Sequence, residues 1–373
     1  MKHIKTIILC TVITLLLTFS ASATDENNEV ESMLEESFFS SLDGELSSTL
    51  EDFGIDSLNG EAVFSKGTEN IKKFFSETLK EKLTGAAGWF FVQLSLIMIL
   101  SVFSGAFDLS GSDDMLSLLC AVIFTVSTVE RLNVFINCTV SAMELNGRFM
   151  LSFIPVFTLL ISLSGNPAGA LTYNSFVLFF CELMSFAIDK LLVFFIGAYF
   201  ALSISFSFNG SFNLGRFVNA VNRGVNFLLG ITASMFTGFL SLKNVLSYAT
   251  DSLSVKGIRF MLSSLVPVIG PSLSDAYSSV LGSINLMKSS LAVVGILALV
   301  IINIPALTEG IIYFFLISVL SGVCEMFSLN RASEFLRSFS GCIKILLLFC
   351  LFQLFILVIS MGIMLSLRGS ING

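Results

Sequence analysis

Val255-Lys256-Gly257-Ile258-Arg259-Phe260, then Val266-Pro267-Val268-Ile269-Gly270-Pro271, then Asp275, Val280-Leu281-Gly282 and Lys288, make up the stretch whose reading decides the fold. It sits among apolar runs long enough to span a membrane, but Pro, Gly and Ser interrupt it too often for an ordinary span. A shorter version occurs earlier in the chain. Arg148-Phe149-Met150-Leu151-Ser152 matches Arg259-Phe260-Met261-Leu262-Ser263 residue for residue. Each run is followed by Pro-Val (Pro155-Val156, Pro267-Val268), then by Gly and another Pro (Gly165 and Pro167, Gly270 and Pro271). Of the 5 prolines in the chain, only Pro305 lies elsewhere.

In hydrocarbon every backbone N–H and C=O has to be satisfied internally, so broken backbone survives only where protein buries it or a cavity hydrates it. Paired interrupted segments in two halves of a membrane protein point to a working centre between repeats. Residues 148–170 and 259–283 therefore read as an internal repeat of Pro/Gly-broken, re-entrant segments. The competing reading is a chance pentapeptide in a biased composition, with kinks that serve packing.

Composition fixes the class. Of 373 residues, 54% are hydrophobic, 13% are charged and 39 are Phe, and the mean hydropathy is +0.89. Soluble domains carry about a quarter charged residues. The expected fold is all-α: a polytopic transmembrane helical bundle with a small N-terminal helical extracytoplasmic segment. The net charge of −7 is unevenly placed. Every charged residue between positions 24 and 65 is acidic, from Asp25 and Glu26 to Asp56 and Glu61, and the remainder is mildly basic. The low isoelectric point describes one segment, and no basic face suggests nucleic-acid binding.

The chain divides into three parts. Residues 1–23 have the form of a secretory signal: Lys2 and Lys5, an apolar core from Ile7 to Phe19, then an A-x-A cleavage site at Ala21 and Ala23. The alternative is an uncleaved anchor. Residues 24–85 are an acidic amphipathic segment that cleavage would leave outside the cytoplasm. Met33, Leu34, Phe38, Leu42, Leu46, Leu50 and Phe53 recur at helical spacing and predict an apolar face that packs on a partner helix, the protein's own body or the membrane interface; its acidity disfavours anionic lipid and favours a protein partner. A second helical stretch, about 62–83, has a mixed-charge face suited to the bilayer surface.

Residues 86–369 are the polytopic membrane domain. Spans are expected at 90–107, 115–136, a short Pro-broken 149–164, an overlong 173–208, a weak 225–249, and 342–367. The apolar run 291–327 is too long for one span and is expected to break at Asn303, Pro305 and Glu309. Residues 328–341, with Arg331, Glu334 and Arg337, read as a loop. That makes six to eight crossings, and basic-loop bias fixes no single orientation.

Intramembrane charge costs about 2.5–3.5 kcal/mol per residue on insertion scales, so each one asks for a reason. Candidate conduit or gating residues are Pro155, Pro167, Arg259, Pro267, Gly270, Pro271, Asp275, Lys288 and Glu309. Adjacent Asp189 and Lys190 read as a structural pair. With one histidine and no Cys-x-x-Cys, metal and His-based acid–base chemistry are not expected. The 7 cysteines read as small buried hydrophobes. No H-E-x-x-H, Gly-x-Ser-x-Gly or Walker A pattern is present. The expectation is a non-enzyme with no cofactor, which would need a separate energy source for any active transport.

Lys256-Gly257-Ile258-Arg259-Phe260, Pro267-Val268-Ile269-Gly270, Asp275, Val280-Leu281-Gly282 and Lys288 resemble the C-terminal half of the stage III sporulation protein AE family. The order of signal, acidic segment and polytopic body is similar too. The resemblance implies a mother-cell membrane subunit of a channel or secretion-like complex facing the forespore and needed for late forespore gene expression. It implies other stage III membrane proteins, an ATPase subunit and a forespore membrane protein as partners. Two other readings stay open from the residues: a stand-alone secondary transporter coupled through Asp275 and Glu309, and a pore-less assembly scaffold.

Overall fold

The computed structural model describes, with short gaps, residues 36–55, 60–106, 113–164, 167–188, scattered positions from 194 to 201, 220–238 and 270–366. Six helices carry most of the described chain: α1 Gly44–Asp52, α2 Gly60–Ala106, α3 Asp113–Leu163, α4 Pro167–Phe186, α5 Gly270–Met326 and α6 Asn330–Ser366, and residues 223–238 are helical as well. No strand occurs among the described residues. Five of these helices, α2 to α6, hold segments long and apolar enough to cross a membrane. The described residues are all-helical where they form regular structure, and five long apolar helices are those of a multi-pass membrane protein.

Helix α5 is the axis. Its 57 residues would extend about 85 Å at 1.5 Å per residue, and α2, α3 and α6 all pack on it. Two glycines set the close approaches. A Cβ on Gly295 would lie 2.7 Å from Met361 Sδ and 2.8 Å from the Phe153 ring. One on Gly310 would lie 2.5 Å from Leu347 Cδ2 and 2.8 Å from the Phe135 ring. Small residues let helix backbones approach where lipid supplies no hydrophobic drive. The paired numbers fall on α3 and α6 as they rise on α5, so both neighbours run antiparallel to it. Helix α2 runs parallel: Gly67 meets Leu297, Lys82 meets Glu309 and Trp89 meets Tyr313.

The turn from α5 to α6 is a Schellman closure. Leu329 N–H donates to Cys324 O (2.9 Å) and Ser328 N–H to Glu325 O (3.0 Å). Ser328 sits at φ 59°, where Gly is usual. Glu325 receives hydrogen bonds from Ser333 Oγ (2.9 Å) and Arg337, clasping the hairpin from both helices.

Several expectations change here. The Pro-broken segment at 149–164 is the end of one continuous 51-residue helix that carries Pro155 inside it. The run 291–327 does not break at Asn303, Pro305 or Glu309, since α5 passes through all three. Neighbouring helices make Pro tolerable inside membrane helices, and α5 and α6 both pack on α3. The loop expected at 328–341 is helical from Asn330. Glu334 and Arg337 mark the exposed side of a helix whose Ala332, Phe335, Leu336 and Phe339 are buried.

The described apolar residues of the acidic segment, Phe38, Leu42, Leu50 and Phe53, are buried on the protein's own body, while Met33 and Leu34 lie outside the described residues. Phe38 is fully buried against Phe153 (ring centroids 6.0 Å), and Phe53 meets Phe74 edge-on at 4.7 Å. Asn70 Nδ2 donates to Phe53 O at 2.8 Å, fixing the return of the chain onto α2. The burial follows from area: residues of this size gain roughly 1.5–3 kcal/mol each when covered, and α2, α3 and α5 lie within reach.

Candidate functional site

Apolar side chains fill most of the interior, and the exception is a set of polar layers strung along α5. The first is an ion pair. Lys82 Nζ of α2 lies 2.8 Å from Glu309 Oε2 of α5, with side chains 29% and 6% exposed. The Cys138 thiol of α3 lies beside the same carboxylate. Toward the α5 C-terminus, Arg131 lies beside Tyr313, whose ring packs edge-on against Trp89 at 5.7 Å. Gln93 Nε2 donates to Ser127 Oγ, and Trp89 Nε1 to Ser127 O at 3.3 Å, tying α2 to α3 at that level.

Six residues back along α5, about 9 Å at 1.5 Å per residue, lies a neutral layer. Asn303 and Asn146 exchange amide hydrogen bonds (3.0 and 3.1 Å) while both are wholly buried. Asn303 Nδ2 also donates to Leu299 O (2.6 Å), and Cys350 Sγ of α6 donates to Asn303 Oδ1 (3.2 Å). Gln353 Nε2 donates to Met143 O at 3.1 Å. Gln353 Oε1, Thr308 Oγ1 and Gln93 Oε1 are buried acceptors with no protein partner. A buried acceptor left unmade costs about 1–3 kcal/mol, which makes each a place for water. Among the described residues no group of three or more His, Cys, Asp or Glu could hold a metal ion.

The candidates named from sequence are scattered with respect to these layers. Glu309 is central. Lys288 is also wholly buried on α5, 21 residues before it. Pro155 is exposed on α3, and Pro167 is exposed in the first turn of α4. Gly270 and Pro271 open α5, where a proline sacrifices no intrahelical hydrogen bond. Asp275 lies on the helical backbone of α5. Arg259, Pro267, the pair Asp189 and Lys190, and the cleavage residues Ala21 and Ala23 lie outside the described residues. Sequence reading missed Lys82 as a partner, together with Asn146, Gln353, Gln93 and the bonded thiol of Cys350. A lone amide inside an apolar run was the available signal for Gln353 and Gln93, whereas Asn146 stands between Glu144 and Arg148 with no such mark.

The family model for stage III sporulation protein AE matches residues 48–367. The stage III sporulation protein AE of Bacillus subtilis (strain 168) is 22% identical over 247 residues. That match takes in 66% of this chain and 62% of the relative, so the chain spans about three-fifths of the relative's length. No solved structure matches the chain.

Proposed function

Because this chain belongs to the stage III sporulation protein AE family, which gives it a sporulation-related role in a membrane, we propose that it is a non-enzymatic, permease-like subunit of a channel or secretion-like complex. The complex joins mother cell and forespore, and the subunit sits in the mother-cell membrane with its N-terminal segment outside the cytoplasm. Its partners are other stage III membrane proteins, a separate ATPase that supplies energy, and a forespore membrane protein. Late forespore gene expression depends on the complex.

One observation carries the permease-like part of this reading: charged and amide side chains are layered along the most buried helix of an otherwise apolar bundle. Polar groups at membrane depth are costly, and they mark paths, relays or pairing sites by default. The Pro and Gly positions, with Arg259, Asp275 and Lys288, remain the proposed gating residues.

The experiment is a tagged pull-down from sporulating cells with mass spectrometry of the co-purifying proteins. Recovery of several sporulation membrane proteins and an ATPase is expected. Recovery of the chain alone, or only as a homo-oligomer, overturns the complex in favour of a stand-alone transporter.

A further inference from the structure

The bundle holds two hydrophobic cores, one beyond the other along α5. The first takes in buried residues of α5 between Ile284 and Ala306, with Phe153 of α3, Val177 of α4 and Met361 of α6. The second takes in α5 between Ile312 and Cys324, with Ile97 of α2, Phe135 of α3 and Phe339 of α6. Phe38, Leu50 and Phe53 of the acidic segment belong to the first core. Where the two meet, the interior turns polar: Thr78 of α2, Asn146 of α3, Thr308 and Glu309 of α5 and Gln353 of α6 are buried there. Close-packed apolar interiors transmit strain with little give, so deformation concentrates where that packing is interrupted.

The axis helix is weakest at the same level. Pro305 has no N–H to give the carbonyl of Ile301, and a proline ring presses on the carbonyl one turn back. Two residues earlier, Asn303 Nδ2 donates to Leu299 O at 2.6 Å, competing for the acceptor that its own backbone N–H would use. Thr308 Oγ1 and Gln353 Oε1 have no protein partner at this junction. No residue of α5 from Ile284 to Gly310 is exposed, so neither weakness is a concession to the surface. Helices kink at proline and where a side chain enters the hydrogen-bond ladder, and both occur here within three residues.

We propose that α5 bends at residues 303–309, letting the first core tilt against the second. Helices α2, α3 and α6 cross the junction unbroken, which holds the tilt to the gentle curvature long helices accept and leaves the sharpest part to α5. The acidic segment from Phe38 to Ile55 moves with the first core, so a load on that segment reaches the joint. The joint goes beyond the conduit reading and does not rest on it.

The test is amide hydrogen exchange of the purified full-length chain in lipid nanodiscs, read by mass spectrometry on peptides of α5. Local opening speeds exchange in the segment that opens, so residues 302–310 are expected to exchange at least about tenfold faster than 292–300 and 312–320. Depth in the bilayer alone gives a slope along the helix or slowest exchange at its centre, not a maximum between two slower flanks. Pro305→Ala restores the missing donor and should bring the middle segment down toward its flanks. Uniformly slow exchange, a one-way slope, or a maximum unchanged by Pro305→Ala would each overturn the joint. The wild-type comparison needs no variant, and none of these results depends on which proteins co-purify.

Discussion

Removing either partner of the Lys82–Glu309 pair should not cost the same, because the two side chains differ in burial. Lys82→Met leaves a carboxylate that is 6% exposed without its counter-charge, 2.8 Å from where the ammonium stood. Stranding a buried charge costs about 3–5 kcal/mol. Glu309→Gln instead leaves an ammonium that is 29% exposed and carried on a flexible stem. Lys82 can turn its head toward water, so the loss should be about 1 kcal/mol, near the range of exposed pairs. The double variant Lys82→Met/Glu309→Met replaces the pair with apolar volume and should recover most of the loss of Lys82→Met. The assay is thermal unfolding of the purified protein in detergent, with accumulation in sporulating membranes as the cellular readout. Equal losses for the two single variants would refute the burial argument. A double variant no better than Lys82→Met would refute it too, because the coupling between the residues would be absent.

The packing sets three further expectations. Gly310→Ala drives a methyl into Leu347 and Phe135 and should cost about 1–3 kcal/mol by overpacking, whereas Gly322→Ala, with open space around it, should be near neutral by the same melting assay. Asn303→Leu leaves Asn146 buried without its amide partner and should cost about 1–3 kcal/mol; Asn146→Leu/Asn303→Leu should be less damaged than that single change. Ser328→Gly relieves an L-residue held at φ 59° and should raise stability by about 1 kcal/mol, seen as a higher midpoint of unfolding.

Helical class and membrane residence were legible because they depend on composition and on apolar runs, which any local window contains. Boundaries were legible only where a helix end coincides with a change in hydropathy, as at the end of α6 near 366. Pro155 and Pro305 misled because proline reads locally as a breaker. Whether a helix runs through it depends on neighbours supplied from elsewhere in the chain, here α5 and α6 around α3 and α2, α3 and α6 around α5. Arg331, Glu334 and Arg337 misled in the other direction. Charge density suggested a loop, yet the spacing of Ala332, Phe335, Leu336 and Phe339 is that of a helix with one buried side.

The site shows the same limit more sharply. Glu309 was identifiable from its own surroundings, because a carboxylate four residues after Pro305 in an apolar run stands out. Its partner was not, since Lys82 lies 227 positions away among Lys80 and Glu81, where one more cation carries no distinguishing mark. What singles out Lys82 is its direction: 15 residues after Gly67 it faces α5 at Glu309, 12 residues after Leu297 on the parallel helix. The mixed-charge half of α2 is thus committed to the bundle by its inner side while its outer side stays charged. Lys82→Met should weaken the hold of α2 on α5 at this level and raise maleimide labelling of the half-buried Cys138, which lies beside Glu309. Unchanged Cys138 reactivity in Lys82→Met would mean that apolar contacts such as Gly67 on Leu297 hold α2 in place and that the ion pair only fills the gap between them.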